Sequence, residues 1–312
     1  MKTIRKTAQS GRSGDLTLMH ITQRFSTDET ARAYFESIRW PNGPCCVHCG
    51  NADSTRIYSV TPNADKKIRK GLYKCAECRE GFTVTMGTVM EDSHIPLDKW
   101  LIAFYVMCAS KTQVSALQLQ RQLKLGSYRT ALHMCHRIRF ALGDVEPVDK
   151  LPGAVEADET YLGSKGCGFV KNKPPVVSLI ERGDCVHSQA VDSVSGKEIT
   201  KILKKHISVS AHLNTDESPI YTAVGKSFAS HDTVNHRTEE YARKDKSGRL
   251  ATTNAAAGLF CNSRRSVDGT NHHISRKHTN LYFAELDHKY NTRKVTDGAR
   301  TVVVIESVGG KC

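Results

Sequence analysis

Long apolar runs are missing from this 312-residue sequence. No stretch approaches the ~18 apolar residues that cross a bilayer, so a helical membrane span is excluded. The opening MKTIRKTAQSGRSGD has no apolar core of the kind a secretory leader needs, and the chain is expected to work in the cytoplasm with no membrane partner. Negative charge is scarce as well: 32 Asp and Glu stand against 45 Lys and Arg, a net charge of +13 with a pI near 9.2. The surplus comes in groups, such as Lys66, Lys67, Arg69 and Lys70, or Lys201, Lys204 and Lys205. This points to a polyanionic partner, nucleic acid ahead of a membrane surface, although a well-solvated basic surface has the same composition. Cysteine is plentiful. Eleven of them in a cytosolic chain read as metal ligands and buried thiols rather than disulfides. The length suffices for one large domain or two to three modest ones.

The first part of the chain, to about residue 90, carries CCVHCG at 45–50 and YKCAEC at 73–78. Cys46 and Cys49 are two residues apart, as are Cys75 and Cys78, and turn-forming or charged residues follow each pair. Such spacing lets two thiolates reach one ion from a tight knuckle, and two knuckles complete a tetrahedral zinc site of four cysteines. The 25 residues between Cys49 and Cys75 exceed the usual gap, but Thr55 to Val60, a Pro62-Asn63 turn and Ile68 to Tyr73 have hairpin character that absorbs the excess. Cys45 and His48 compete as ligands; the regular pairing favours Cys46. With few apolar residues here, zinc would supply much of the folding energy, on the order of 10 kcal/mol in isolated modules.

The next part, about 95 to 145, is predicted helical. Leu97, Leu101, Phe104 and Cys108 follow three- and four-residue steps, and Leu117, Leu119, Leu123 and Leu125 continue the apolar content before Gly126. SYRTALHMCHRIRFAL then opens on Ser127 as an N-cap, with apolar positions at 128, 131/132, 135, 138 and 142 and with Arg129, His133, His136, Arg137 and Arg139 elsewhere on the helix. Two helices around a short Gly-containing turn, the second rich in Arg, suit a helix-turn-helix that reads a major groove. An ordinary helical hairpin with a solvated basic face is the bland alternative.

From about residue 152 the period changes. Ala154 to Leu162, Pro175 to Ile180 and Cys185 to Val191 read as strands; a helix, Gly196 to Ile207, leads to a fourth strand, Ala211 to Thr215, and further helices follow. VEADETYLG puts Asp158 inside the first strand, and LNTDES puts Asp216 at the end of the fourth. An aspartate in a run that should be buried is costly unless it is paired or bound to metal. Each alone reads equally as a cap or surface residue; the pair in one sheet points to a divalent cation.

The order of these parts, with NTDESPIY, VNHR, TTN and YFAELDHKYNTR following, resembles the bacterial insertion-sequence transposases with a zinc-ribbon N-terminus, relatives of the eukaryotic Merlin elements. The resemblance spans about residues 20 to 300. It implies a multidomain α/β protein: an N-terminal helical segment over 1–40, a zinc ribbon over 41–92, a helix-turn-helix region over 93–150 and, over 151–312, a ribonuclease H-like catalytic domain with a mixed sheet flanked by helices. It also implies strand cleavage and transfer on DNA with two Mg2+ or Mn2+ ions per active site, beside one structural Zn2+. By the same resemblance Asp158 and Asp216 match the first two metal ligands and Asn254 the third. The glutamate common three residues later is here Ala257, and Arg264 or Arg265 stands for the usual lysine.

The segment TNAAAGLF, 253–260, thus lacks a carboxylate where many relatives have one. Three explanations stand open: the asparagine-type site suffices, Glu285 or another carboxylate joins it, or the copy keeps only DNA binding. Glu285 also reads as a helix residue paired to a neighbour. His236, in VNHR, is a further catalytic candidate on resemblance alone. Lys165, Lys171, Lys173, Arg264 and Arg265 are expected to neutralise backbone phosphate, and Arg129, His133, Arg137 and Arg139 to face DNA. The expected partners are double-stranded DNA, as element ends and target, and a second copy of the chain, since two ends must be held together. Association with the nucleoid follows. An RNA-directed nuclease and a zinc-ribbon adaptor are the remaining readings; a helix-turn-helix speaks against the first, and carboxylates on strands against the second.

Overall fold

The computed structural model describes residues 16–66, 68–143, 150–161, 175–235, 238, 240–244, 248–272 and 274–308. In chain order the helices are α1 (Leu18–Arg24), α2 (Asp28–Arg39), α3 (Leu97–Ala109), α4 (Ala116–Leu123), α5 (Tyr128–Gly143), α6 (Gly196–His206), α7 (Thr222–Gly225), α8 (Asn254–Ser266), α9 (Thr279–Asn291) and α10 (Asp297–Val308). The strands are β1 (Ile57–Ser59), β2 (Tyr73–Cys75), β3 (Gly81–Phe82), β4 (Ala154–Tyr161), β5 (Pro175–Glu181), β6 (Val186–Ala190), β7 (His212–Asp216), β8 (Ser230–Val234), β9 (Ala242–Lys244) and β10 (Leu250–Thr252). They form two units. One draws on Met1–Ser110, Ala116–Val145 and Val295–Cys312, the other on Lys111–Ser115 and Glu146–Lys294.

In the first unit, β1, β2 and β3 make a small antiparallel sheet, with Ile57 opposite Cys75 and Tyr73 opposite Phe82. Too short to bury a core alone, it stacks Tyr73 and Phe82 against Trp40 at the end of α2, all three ring centroids 5.7 Å apart. Helix α2 begins at a capping box in which Thr27 and Thr30 exchange hydrogen bonds of 3.3 Å. Its Phe35 packs on Phe104 of α3. The C-terminal segment TVVVIESV is helical: α10 buries Val303, Val304, Ile305 and Val308 and packs against α3 and α2. Residues from 295 onward thus group with the N-terminal helices, where their apolar face is covered, and not with the 151–294 part of the expected catalytic domain.

The second unit is built on a five-stranded mixed sheet of order β6-β5-β4-β7-β8, in which β4, β7 and β8 run parallel and β5 and β6 run antiparallel to their neighbours. Ile180 and Val186 on one face pack under Ala256, Leu259 and Phe260 of α8, and Val176 packs under Phe283 of α9. On the opposite face His187 stacks on His206 of α6 at 4.0 Å. Strand β6 is an edge, and α9 covers its free amides: Asn291, Asp287 and Asn280 accept the N–H groups of Val186, Ser188 and Ala190 at 2.8, 2.6 and 2.7 Å. Strand β8 and the β9–β10 hairpin extend beyond the strands expected from the sequence; Ser230–Val234 is mostly polar and alternates weakly.

Candidate active site and zinc site

The two knuckles are built alike. In each, the residue after the second cysteine turns into the left-handed region, Gly50 at φ 75° and Arg79 at φ 63°, and the chain folds back with Cys46 N–H to Asn51 O and Cys75 N–H to Glu80 O. Cys46 Sγ lies 3.6 Å from Cys78 Sγ, and Cys49 Sγ lies 3.7 Å from Cys75 Sγ. Four sulfurs at about 2.3 Å from a tetrahedral zinc lie about 3.8 Å from one another, so this donor set fits the ion. The backbone N–H groups of Cys78 and Glu77 and the Asn51 amide hold the Cys75 thiol down to about 6. The four cysteines make a structural zinc site. Cys45 and His48 turn elsewhere, Cys45 Sγ to Gly50 O and His48 Nε2 to Gly81 O.

In the second unit, β4 pairs with β7 in the register Glu156 to Asn214. Two residues further along both strands, that register brings Asp158 level with Asp216, on the same face as Glu156. Burial pushes the Asp158 carboxyl up to about 7, and the charges of Glu159, Asp216 and Glu156 add to the shift. A half-buried carboxylate crowded by three others is unfavourable unless a cation shares the space. Oxygen donors of this kind suit Mg2+ or Mn2+. Asp216 Oδ1 accepts the Ser218 N–H at 3.0 Å, which fixes its side chain at the strand end. Glu159, unremarked in the sequence, accepts a 2.5 Å hydrogen bond from the buried Tyr221 hydroxyl; burial raises its carboxyl as well.

Helix α8 lies over this face. The N–H groups of Ala255 and Ala256 point at Glu156 Oε2 (2.8 and 3.3 Å), and Arg264 Nη2 donates to Thr160 Oγ1 (3.2 Å). Asp158 lies between those two anchor points on β4, opposite the middle of the helix. Asn254 is the first helical residue, exposed, with its N–H on Thr252 Oγ1. Ala257 and Arg265 are exposed too.

Other expected site residues fall elsewhere. Glu285 is fully buried and paired with Lys289 Nζ at 2.7 Å, which also donates to Thr112 O. The structure places it in an internal ion pair, the helix-residue reading of the sequence. Lys171 and His236, like Lys165 and Lys173, lie outside the described residues. In the first unit, α4 and α5 meet at a turn through Lys124 (φ 48°), and Ser127 Oγ caps the Thr130 N–H at 3.1 Å. Arg129 and His133 are exposed on α5, as is Tyr128, which the apolar spacing had placed inside. Arg137 donates to the carbonyls of Val89 and Glu91, and Arg139 is 1 % exposed. Arg137 thus braces the fold and the Arg139 side chain is enclosed within it, because a helix flank buries long stems whatever charge they end in.

Comparison with known proteins bears on the whole arrangement. Residues 26–80 match the transposase zinc-ribbon domain, and residues 150–291 match the ISXO2-like transposase domain. Together they define an insertion-sequence transposase. The chain belongs to the IS1595 family of these proteins. It is similar to an uncharacterized protein in transposable element ISH50 of Halobacterium salinarum, 28% identical over 184 residues. That match covers 51% of this chain and spans little more than half of the relative, 56% of its length.

Proposed function

We propose that the chain binds the ends of an insertion sequence and carries out DNA strand cleavage and strand transfer at a two-cation site. Asp158 and Asp216 hold the cations with the help of the Asn254 side-chain carbonyl. The observation that carries this reading is the β4–β7 register, which, continued two residues beyond Glu156 and Asn214, brings two carboxylates level on one face, beneath the helix that begins with Asn254. Two Mg2+ or Mn2+ ions bound there would activate a water or 3′ hydroxyl and stabilise the leaving oxygen of an in-line displacement. Asp158, on the middle strand, and Asp216, its side chain fixed by the Ser218 N–H, would hold the cations. Arg264 and Arg265, and Lys171 in the sequence, face backbone phosphate. A mixed sheet with helices on both faces, one carboxylate within its middle strand and another at the end of the adjacent parallel strand, suits a ribonuclease H-like domain. Helices α4 and α5 suit a helix-turn-helix whose exposed N-terminal residues, Arg129 and His133, meet base edges. The active complex is at least a dimer, because two ends are joined.

A second reading is favoured by Ala257: a transposase-derived protein that holds element ends without cutting them. The test is strand transfer from an oligonucleotide bearing an element end, in Mg2+ or Mn2+, with Asp158→Asn and Asp216→Asn beside the wild type. Loss of transfer in both variants, with end binding retained, supports the enzyme. Transfer that survives either change would place the chemistry elsewhere.

A further inference from the structure

One buried carboxylate on β4, Glu156, is not among the proposed cation ligands. The Glu156 side chain is 2% exposed, and its neighbours account for both oxygens. Oε1 accepts from Arg182 Nε at 2.9 Å, while Oε2 accepts the N–H groups of Ala255 and Ala256. Those amides are the unpaired donors of the first turn of α8, where the helix dipole favours an anion. Thr253, the residue before the helix, makes no side-chain cap, so the capping charge comes from the sheet. Arg182 continues the link: its Nη1 donates to Leu250 O and its Nη2 to Thr252 O at 3.1 Å. One ion pair therefore ties the last strand of the β9–β10 hairpin and the start of α8 to the strand that carries Asp158.

The position gives this tie its use. Glu156 precedes Asp158 by two residues on the same face, about 7 Å along the strand. Asn254 adjoins Ala255, one of the two amides that Glu156 holds. We infer that Glu156, with Arg182, is a positioning residue that sets the separation between the first and third ligands of the cation site. The inference rests on the proposed two-cation reading. A third ligand without charge gains little from electrostatic attraction, so its contribution depends on being held in place beforehand. The Glu156 carboxylate itself is committed to three N–H donors and stays outside the coordination sphere.

The test uses the full chain and two readouts, Mn2+ binding followed by electron paramagnetic resonance and amide hydrogen exchange over 250–260. In Glu156→Gln, exchange of the peptide containing Ala255 and Ala256 is expected to rise by about tenfold while β5 stays protected. The Mn2+ dissociation constant is expected to rise about 10- to 100-fold. Glu156→Asp, which keeps the charge but is one methylene short, should behave likewise, whereas loss of a merely structural ion pair would lower the melting temperature and leave Mn2+ affinity unchanged. Should Glu156→Gln fail to fold, Arg182→Lys carries the test, since it preserves the charge and loses the fork to Leu250 and Thr252. A folded variant with wild-type Mn2+ affinity and wild-type exchange at 250–260 overturns the inference. Asp158→Asn separates the two levels: if wild-type Mn2+ binding does not depend on Asp158, the cation reading fails, and local exchange alone then decides whether Glu156 anchors the helix.

Discussion

A buried carboxylate behaves according to what surrounds it, and three in the second unit show the range. Glu285 is paired with Lys289, Asp158 is crowded by other acids, and Asp287 is held by Ser188, through its N–H and its hydroxyl at 2.6 and 2.8 Å. Burial pushes Asp287 from 3.8 up to about 7. The folded state then keeps a proton that the unfolded chain releases between about pH 4 and 7, so its contribution to stability falls as pH rises through that window and is lowest above it. Asp287→Asn retains an acceptor for the Ser188 N–H and removes the titration. Thermal unfolding should show the variant gaining on the wild type between about pH 5 and pH 8; a difference independent of pH would mean that the carboxylate is ionised throughout. At this scale the placement of Asp158 and Asp216 on strands of one sheet was legible, and their role as ligands is the proposal drawn from it. The contacts of Glu156 were not: the sequence shows an acid two places before Asp158, but not that a helix 98 residues later begins against it.

At the scale of elements, local chemistry and tertiary cover gave different returns. Doubled Cys-x-x-Cys spacing identified the ribbon, since only a shared ion requires it. Metal analysis should find about one zinc per chain, lost in Cys46→Ser or Cys78→Ser together with the cooperative unfolding of β1 to β3; a folded ribbon without zinc would contradict the site. The strands from 154 to 216 and α6 were legible within a residue or two because period two and period 3.6 alternate cleanly there. Val302, Val303 and Val304 favour a strand in isolation, yet α10 is a helix, since packing on α3 outweighs a modest propensity. On α5 the apolar stripe was readable, but its flanks were not. Arg129→Ala is expected to blunt preference for a cognate end over random duplex by about 1 to 3 kcal/mol. Arg137→Ala should instead lower thermal stability, as two carbonyls lose their donor, and leave that preference unchanged. Competition binding and melting curves on the two variants check the split, and the reverse result would put Arg137 on the DNA.

The molecule as a whole joins a basic, zinc-stapled helical unit, completed by its own C-terminal helix, to an α/β unit with an acidic centre. That organisation suits a protein that must grip a polyanion and concentrate cations at one point on it. On the proposed reading, two aspartates and an asparagine suffice where Ala257 leaves out a third carboxylate. The most direct measurement compares metal-dependent strand transfer by the wild type and Ala257→Glu on the same element end. The account predicts transfer by the wild type, with the added carboxylate altering the rate and lowering the Mg2+ concentration required. Transfer seen only in Ala257→Glu would contradict it and leave the natural chain a protein that holds DNA without cutting it.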